Sequence, residues 1–190
     1  GIAWDGDFDR CFFFDSNGEF IDSYYVISLL GKQLLKSSPG SNIVHDPRLV
    51  SDTQEEISNN GGVPTISKSG HSFIKEVMRE CNSVYGGEVS GHHYFRDFYF
   101  SDSGMIAWML LIENVSSSGS TLTDLVKARI ERYPISGEIN RRVSNPEELL
   151  DKVKNHYLKL DPNIEKLDGY SLDFGEWRFN LRMSNTEPLV

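Results

Sequence analysis

The sequence has few cysteines, no excess of positive charge and no long apolar run. Cys11 and Cys81 lack the paired spacing of a zinc site or a disulfide framework, so we expect reduced thiols and a cytoplasmic protein. The net charge of -9 argues against a nucleic-acid partner. No stretch is apolar enough to predict a membrane span, so no membrane partner is expected. With 38% hydrophobic residues, the 190-residue chain can still bury a core of ordinary size.

An acidic segment near the start of the chain is the clearest sign of chemistry. It carries carboxylates at alternate positions, Asp5, Asp7 and Asp9. Carboxylates this close repel one another unless a hard dication lies among them, which predicts a Mg²⁺ site. Gly6 would let the backbone fold around the ion, and Arg10 would be a cation beside a phosphate.

The acidic segment has three other interpretations. It could be a solvated turn that binds nothing. A calcium loop of the helix-loop-helix type fails, because Arg10 and Ser16 stand where it needs glycine and glutamate. A phosphatase that uses Asp5 or Asp7 as nucleophile would place its first carboxylate after an apolar strand, with a threonine nearby. Here the longest apolar run follows the segment and no threonine is near.

Strand and helix patterns alternate over most of the chain. They predict an α/β fold with a mixed, largely parallel sheet flanked by helices. The predicted strands are 11–14, 42–45, 63–66 and 83–85, and the predicted helices are 24–36, 52–60, 72–80, 104–115 and one that Thr121 caps and that runs to Arg132. A hinge is expected at Tyr133-Pro134. Beyond it, strands at 137–140, 170–174 and 178–181 and a helix at 145–157 predict a small α+β domain.

The segment Gly86–His93 follows a predicted strand, where α/β sheets usually present ligand loops. Glu88 and Ser90 would point to one side of an extended chain and hold sugar hydroxyls. His92 and His93 would face opposite ways, and one of them could donate a hydrogen bond to the ligand or act as an acid/base. A flexible turn with an incidental histidine pair is the alternative.

Two further segments suit an anion. Lys68 and His71 lie at a strand-to-helix turn that could bind a phosphate, although taken alone the turn favours an ordinary helix cap. Arg48 either reaches the same cleft or pairs with a surface carboxylate. Near the C-terminus, a polar turn offers a guanidinium, hydroxyls and an amide for a phosphate, although such strings are often plain hairpin turns. Its candidate residues are Arg182, Ser184, Asn185 and Thr186.

In this order the segments resemble the α-D-phosphohexomutase family, most closely its bacterial phosphomannomutases. The residues that match are the metal loop Asp5–Arg10, the sugar loop Gly87–His92 and the phosphate loop Arg182–Thr186. The resemblance implies an enzyme that interconverts hexose 6-phosphate and hexose 1-phosphate through an active-site phosphoserine. It also implies Mg²⁺ as cofactor, a hexose 1,6-bisphosphate as intermediate and activator, and a phosphosugar as substrate.

The resemblance also implies residue roles. Asp5, Asp7 and Asp9 would hold Mg²⁺, and Arg10 and His71 would be catalytic. Substrate would be bound by Glu88, Ser90, His92, Arg48 and Lys68, and the non-reacting phosphate by Arg182, Ser184, Asn185 and Thr186.

The resemblance divides the chain into three parts. Residues 1–18 would be the tail of domain 2, residues 19–132 domain 3, and residues 133–190 an incomplete domain 4. The family's serine belongs to an upstream domain, so we expect a fragment without turnover and with weakened metal affinity. A metal-dependent phosphatase and a non-catalytic sugar-phosphate binding module remain as alternatives.

Overall fold

The computed structural model describes residues 1–184 and 188–190. The chain divides into two compact units, Gly1–Pro134 and Ile135–Val190. None of the helices in the described part of the chain combines the length and the apolar character that a membrane span requires.

The first unit begins with a three-stranded antiparallel sheet, whose strands are β1 (Ile2–Trp4), β2 (Cys11–Phe14) and β3 (Phe20–Ile21). The strand at 11–14 is confirmed, whereas β1 was not expected from the sequence. Asp5 therefore directly follows a strand, although the longer strand β2 comes after the acidic segment, as its apolar run predicts. The acidic segment is the connection between β1 and β2.

A five-stranded mixed sheet forms the centre of the first unit. Its strands are β4 (Asn42–His45), β5 (Val63–Ile66), β6 (Tyr85–Gly87), β7 (His93–Phe95) and β8 (Ser101–Asp102), in the order β5-β4-β6-β7-β8. Strands β5, β4 and β6 are parallel, and β7 and β8 add to the sheet in antiparallel fashion. The predicted mixed α/β fold is confirmed.

The strand predicted at 83–85 begins two residues later than expected. The Ser83 N–H donates to the Met78 carbonyl at the end of a helix (2.8 Å), so pairing in the sheet begins only at Tyr85. Asn82 precedes this point with a φ of 50°, which turns the chain out of the helix.

The first unit contains five α-helices, which are α1 (Ser23–Leu35), α2 (Ser51–Asn59), α3 (His71–Glu80), α4 (Gly104–Ser118) and α5 (Leu122–Arg132). Thr121 caps α5 with a reciprocal capping box to Asp124, as its sequence predicts for the helix start. Helix α4 continues through the serines to Ser118, where Gly119 ends it in a left-handed conformation. Between α3 and the sheet lies a core of fully buried side chains from both layers, Val44, Ile74, Met78 and Tyr94.

The second unit contains α6 (Pro146–Tyr157) and an antiparallel sheet of β9 (Asn163–Glu165), β10 (Tyr170–Asp173) and β11 (Arg178–Leu181), in the order β11-β10-β9. Asn145 caps α6 and Pro146 occupies its first turn. The strand predicted at 137–140 is wrong. That segment is irregular, Gly137 has a φ of 74° and Ile139 is 61% exposed, so no apolar face drives pairing there.

Candidate active site

The loop between β1 and β2 brings the predicted metal ligands together. One oxygen from each of Asp5, Asp7 and Asp9 lies within 4.8 Å of the others. The tight point of the loop is Phe8, whose φ is 63°, and not Gly6, which lies outside the left-handed region. A bulky residue held at positive φ is a strained feature that surrounding contacts must maintain.

Arg10 contacts the acidic loop itself. Its guanidinium Nε is paired with Oδ2 of Asp5 and lies 3.8 Å from Oδ1 of Asp9. Burial opposes ionisation of Asp5, but the hydrogen bonds from Arg10 outweigh it and lower the pKa of that carboxyl. Burial raises the pKa of Asp9, and the neighbouring Asp5 and Asp7 charges add to that shift against the opposing effect of His92.

Three predicted ligand residues follow the three parallel strands. Arg48 comes after β4, Lys68 after β5 and Glu88 after β6, and the carboxyl ends of parallel strands meet at one edge of a sheet. Lys68 is exposed there, with its Nζ 5.4 Å from the centre of the Phe73 ring. This edge is where the topology gathers the predicted sugar-binding side chains.

Glu88 is 3% exposed and its carboxylate is held by several donors. The Tyr94 hydroxyl donates to Oε1 (2.7 Å), and the Gly70 N–H donates to Oε2 (3.2 Å). The expectation of an extended segment is wrong here. The Gly91 N–H donates to the Glu88 carbonyl (2.9 Å), so the chain turns, with the Ser90 hydroxyl 3.5 Å from Oε2 of Glu88.

Arg48 pairs with a buried carboxylate and also approaches the turn at Gly87–His92, the sugar turn, which is named for its predicted ligand. Its Nη2 lies 2.6 Å from Oδ2 of Asp46, which is 1% exposed, and 4.0 Å from Oε2 of Glu88. The same Asp46 oxygen accepts a hydrogen bond from the Val89 N–H (2.8 Å). Asp46 therefore fixes both the guanidinium and the turn that carries Glu88.

Asp102 is the polar centre beside the sugar turn. Its Oδ2 lies 3.1 Å from Nδ1 of His92 and 3.4 Å from Nδ1 of His71, and its Oδ1 lies 3.1 Å from Nζ of Lys75. Although burial acts against the charged form, hydrogen bonds from His92 and Lys75 lower the pKa of Asp102 well below its usual range. The two histidine rings meet edge to face, with centres 4.4 Å apart.

His93 has a different environment from His92. It is fully buried, with Nδ1 2.6 Å from the Tyr85 hydroxyl. Burial lowers the pKa of His93 to about 3, so it is a neutral core residue. The two adjacent histidines have different partners, in line with the expectation that they face opposite ways.

Backbone bonds attach the acidic loop to the sugar turn and to α4. The Cys11 N–H donates to the Gly91 carbonyl (3.1 Å), and the Gly104 N–H donates to the Phe8 carbonyl (3.1 Å). The approach is so close that a Cβ on Gly91 would lie 2.8 Å from the Phe12 ring. Two segments from distant parts of the sequence thus contact each other directly.

The family model described as phosphoglucomutase/phosphomannomutase, alpha/beta/alpha domain III matches residues 22–133 of the chain. The chain belongs to this family. A relative named phosphohexose mutases in Xanthomonas campestris pv. campestris is 56% identical over 190 residues, which cover all of this chain and 42% of that protein. The phosphomannomutase of Escherichia coli K12 is 50% identical over the same length and coverage.

The fold of this phosphohexomutase chain matches a solved family member. The crystal structure of a phosphoglucomutase/phosphomannomutase family protein from Burkholderia thailandensis superposes with a TM-score of 0.80 at 26% identity, covering 100% of this chain and 40% of that one. The chain spans about two fifths of the length of the curated relatives it matches. The division into residues 1–18, 19–132 and 133–190 stays a prediction.

The predicted phosphate loop of this phosphohexomutase chain lies in the second unit. Nε of Arg182 lies 3.4 Å from Oδ2 of Asp168, and the Ser184 N–H donates to the Leu189 carbonyl (2.9 Å). The other two predicted members, Asn185 and Thr186, lie outside the described residues.

The acidic loop of this family member fits the magnesium expected there. Its donor set consists of carboxylate oxygens alone, which is the preference of Mg²⁺, and the atoms are close enough to reach a common ion. Asp5 and Asp9 are partly buried and Asp7 is exposed, which leaves room for oxygen ligands from outside the loop.

Sequence reasoning missed the residues that orient the site. Asp46 is a buried carboxylate and Asp102 a partly buried one, and both hold predicted ligand residues, while Tyr94 holds Glu88. No sequence pattern marked Asp102, because the two-residue strand β8 that it ends is too short to be recognised in the sequence. No pattern in the sequence linked Tyr94 to Glu88.

Proposed function

We propose that this chain is part of a phosphomannomutase that interconverts hexose 6-phosphate and hexose 1-phosphate. The observation that supports this is the backbone hydrogen bond between the acidic loop and the sugar turn, in a chain that is 50% identical to a protein named phosphomannomutase. Neither feature alone would support this function, since one fold can carry unrelated functions and acidic loops are common in proteins.

Asp5, Asp7 and Asp9 hold Mg²⁺ in this proposal. When bound, the ion neutralises charge that develops on the transferring phosphoryl group. Arg10, which pairs with Asp5, lies where its guanidinium can turn to a phosphate oxygen. The backbone hydrogen bonds of Phe8 and Cys11, to Gly104 and Gly91, hold the acidic loop in its orientation.

Glu88 and Ser90 bind sugar hydroxyls, with Arg48 and Lys68 at the same edge. Glu88 is preorganised by the Tyr94 hydroxyl and the Gly70 N–H, so binding needs little reordering of this carboxylate. His92 and His71, which both contact Asp102, act as the acid/base groups that accept or donate the proton of the reacting hydroxyl.

The phosphoryl donor in this proposal is a phosphoserine outside residues 1–190. A sugar hydroxyl takes its phosphoryl group, which gives a hexose bisphosphate and a free serine, and the serine hydroxyl then takes back the other phosphoryl group to release the product. Residues 1–190 contain no match to the family's Thr-x-Ser-His loop. Arg182, Ser184, Asn185 and Thr186 bind the phosphate that is not reacting, which uses remote binding energy to position the reactive one.

A chimera tests this function. The 190-residue chain replaces the segment it aligns with in the phosphomannomutase of E. coli, which then supplies the remaining domains. We expect the chimera to convert mannose 1-phosphate to mannose 6-phosphate with Mg²⁺ and a hexose bisphosphate. The chain by itself should show no turnover.

Two variants of the chimera isolate the acidic loop. Asp7→Asn should lower kcat at least tenfold, whereas Asp97→Asn, a carboxylate with an 88% exposed side chain, should leave it unchanged. A folded chimera without activity, or equal kcat values for the two variants, would sink the proposal. Turnover by the chain alone would refute the placement of the phosphoserine.

A further inference from the structure

A second group of metal-ligating side chains lies next to the acidic loop. It consists of one ligand atom each from Asp9, His71, His92 and Asp102, and all of these atoms lie within 4.8 Å of one another. Three of the residues are partly buried, and His71 is at the surface. The group combines two imidazoles with two carboxylates, a different donor set from the three carboxylates of the acidic loop.

The distances within this group match a small tetrahedral site. Zinc binds imidazole nitrogen and carboxylate oxygen at about 2.0–2.2 Å, so ligand atoms in a tetrahedron lie about 3.3–3.6 Å apart. Nδ1 of His92 lies 3.1 Å from Oδ2 of Asp102 and 3.7 Å from Oδ2 of Asp9. Nδ1 of His71 lies 3.4 Å from the same Asp102 oxygen. Small side-chain shifts would place one ion among all four.

The surroundings hold these ligands in place. Lys75 contacts Oδ1 of Asp102 and leaves Oδ2 facing the histidines, an outer contact of the kind that orients a ligating carboxylate. An isolated backbone bridge between Arg10 and His92 fixes the spacing between the acidic loop and the sugar turn. The ligand positions are therefore set by the fold before any ion arrives.

We propose that Asp9, His71, His92 and Asp102 form a second divalent-cation site, which takes a Zn²⁺-class ion. Mixed imidazole and carboxylate ligands favour zinc over magnesium, whereas the acidic loop favours magnesium. Asp9 belongs to both sites, so an ion at one weakens binding at the other. An ion at the second site also takes up the ring nitrogen of His92. Zinc bound there would therefore inhibit any reaction that needs His92.

The test is calorimetric titration of the 190-residue chain with Zn²⁺ alone. A background variant, Asp5→Asn/Asp7→Asn, removes most of the acidic loop and keeps Asp9. We expect one Zn²⁺ to bind in this background with no detectable binding of Mg²⁺. His71→Gln and His92→Gln should each weaken Zn²⁺ binding at least tenfold. His156→Gln, a matched change in the other unit, should leave the affinity unchanged.

Circular dichroism melting shows whether each variant is folded, and Co²⁺ gives a second measurement. In the background variant, Co²⁺ should produce the intense visible absorption of a four-coordinate site, and His92→Gln should abolish it. The proposal is overturned if the background variant binds no Zn²⁺, or if the folded histidine variants bind Zn²⁺ as tightly as the background does. Either result would mean that these side chains form only a hydrogen-bonded network.

Discussion

Replacing Arg129 with methionine should strongly destabilise the first unit. Arg129 lies on α5 with a side chain that is only 12% exposed, and it bridges two carboxylates of α2. Its Nη1 lies 2.6 Å from Oδ1 of Asp52, and its Nη2 lies 2.6 Å from Oε2 of Glu56. Asp52 is 1% exposed, and the Ser28 hydroxyl donates to its other oxygen.

The expected loss follows from the burial of Asp52. Methionine keeps much of the packing of the Arg129 stem but leaves a buried carboxylate with a hydroxyl as its remaining side-chain donor. Breaking a buried ion pair by removing one partner costs about 3–5 kcal/mol. Glu56 keeps its pairing with Lys32 (2.7 Å), so we place the effect near the lower end, at about 3 kcal/mol.

Urea unfolding followed by tryptophan fluorescence measures this loss. The chain has three tryptophans, and Trp177 alone belongs to the second unit. A Trp177→Phe background therefore limits the signal to Trp4 and Trp108, which pack edge to face with centres 5.8 Å apart in the first unit. The midpoint should fall with an unchanged slope, because the surface exposed on unfolding is nearly the same.

Arg132→Met is the matched control. Arg132 pairs with Glu55 on the same two helices, but the side chains are 65% and 36% exposed, so water screens the pair and its loss should change stability little. If Arg129→Met costs no more than Arg132→Met, the reasoning from burial is refuted.

The pH dependence of Arg129→Met provides a second check. Burial raises the pKa of Asp52 even with Arg129 present, and without the guanidinium it should rise further. An acid whose pKa is raised by folding stabilises the fold at low pH and loses that contribution as the pH rises through the folded value. The difference in free energy of unfolding between Arg129→Met and the parent protein should therefore become smaller as the pH falls from 7 towards 5.

Three further outcomes are expected. In the chimera, Asp102→Asn should lower kcat more than it raises KM, because His92 loses its orienting carboxylate, and an equal change in both would contradict a positioning role. Gly91→Ala should cost more free energy of unfolding than Gly18→Ala. Both have positive φ, but only the first Cβ meets a ring, and equal losses would show that the close approach is unimportant. Cys11, fully buried with its pKa raised by burial to about 12, should resist alkylation at pH 8 until urea unfolds the chain, as mass spectrometry can show.

The elements that the sequence predicted well have strong local signals. The strands at 42–45 and 63–66 are confirmed to the residue, and the helix that begins after Asn145 starts where its cap and proline predict. Local chemistry decides these boundaries, so a single chain is enough to find them.

The elements that the sequence missed depend on tertiary pairing. Strands β1, β7 and β8 are two or three residues long, too short to show alternation of polar and apolar residues. They form because the sheet beside them supplies hydrogen-bond partners. Short strands of this kind carry little information in their own sequence.

The candidate site also has one part that the sequence predicts and another that depends on tertiary contacts. Residues that follow the parallel strands could be assigned to ligand loops from topology, as Glu88 was. Asp102 and Asp46 could not be found, because their role lies in contacts made only after folding, such as the one between Asp102 and His71.

The attachment of the acidic loop to Gly91 and Gly104 has a consequence for folding. Both partners come late in the first unit, so the arrangement of the loop carboxylates is complete only when most of that unit has folded. An ion held by these carboxylates binds the folded state alone, and at 100 times its Kd it would add about 2.7 kcal/mol to the stability of the whole unit. Slower hydrogen exchange at core amides of α1 and β4 would then report that the acidic loop holds an ion.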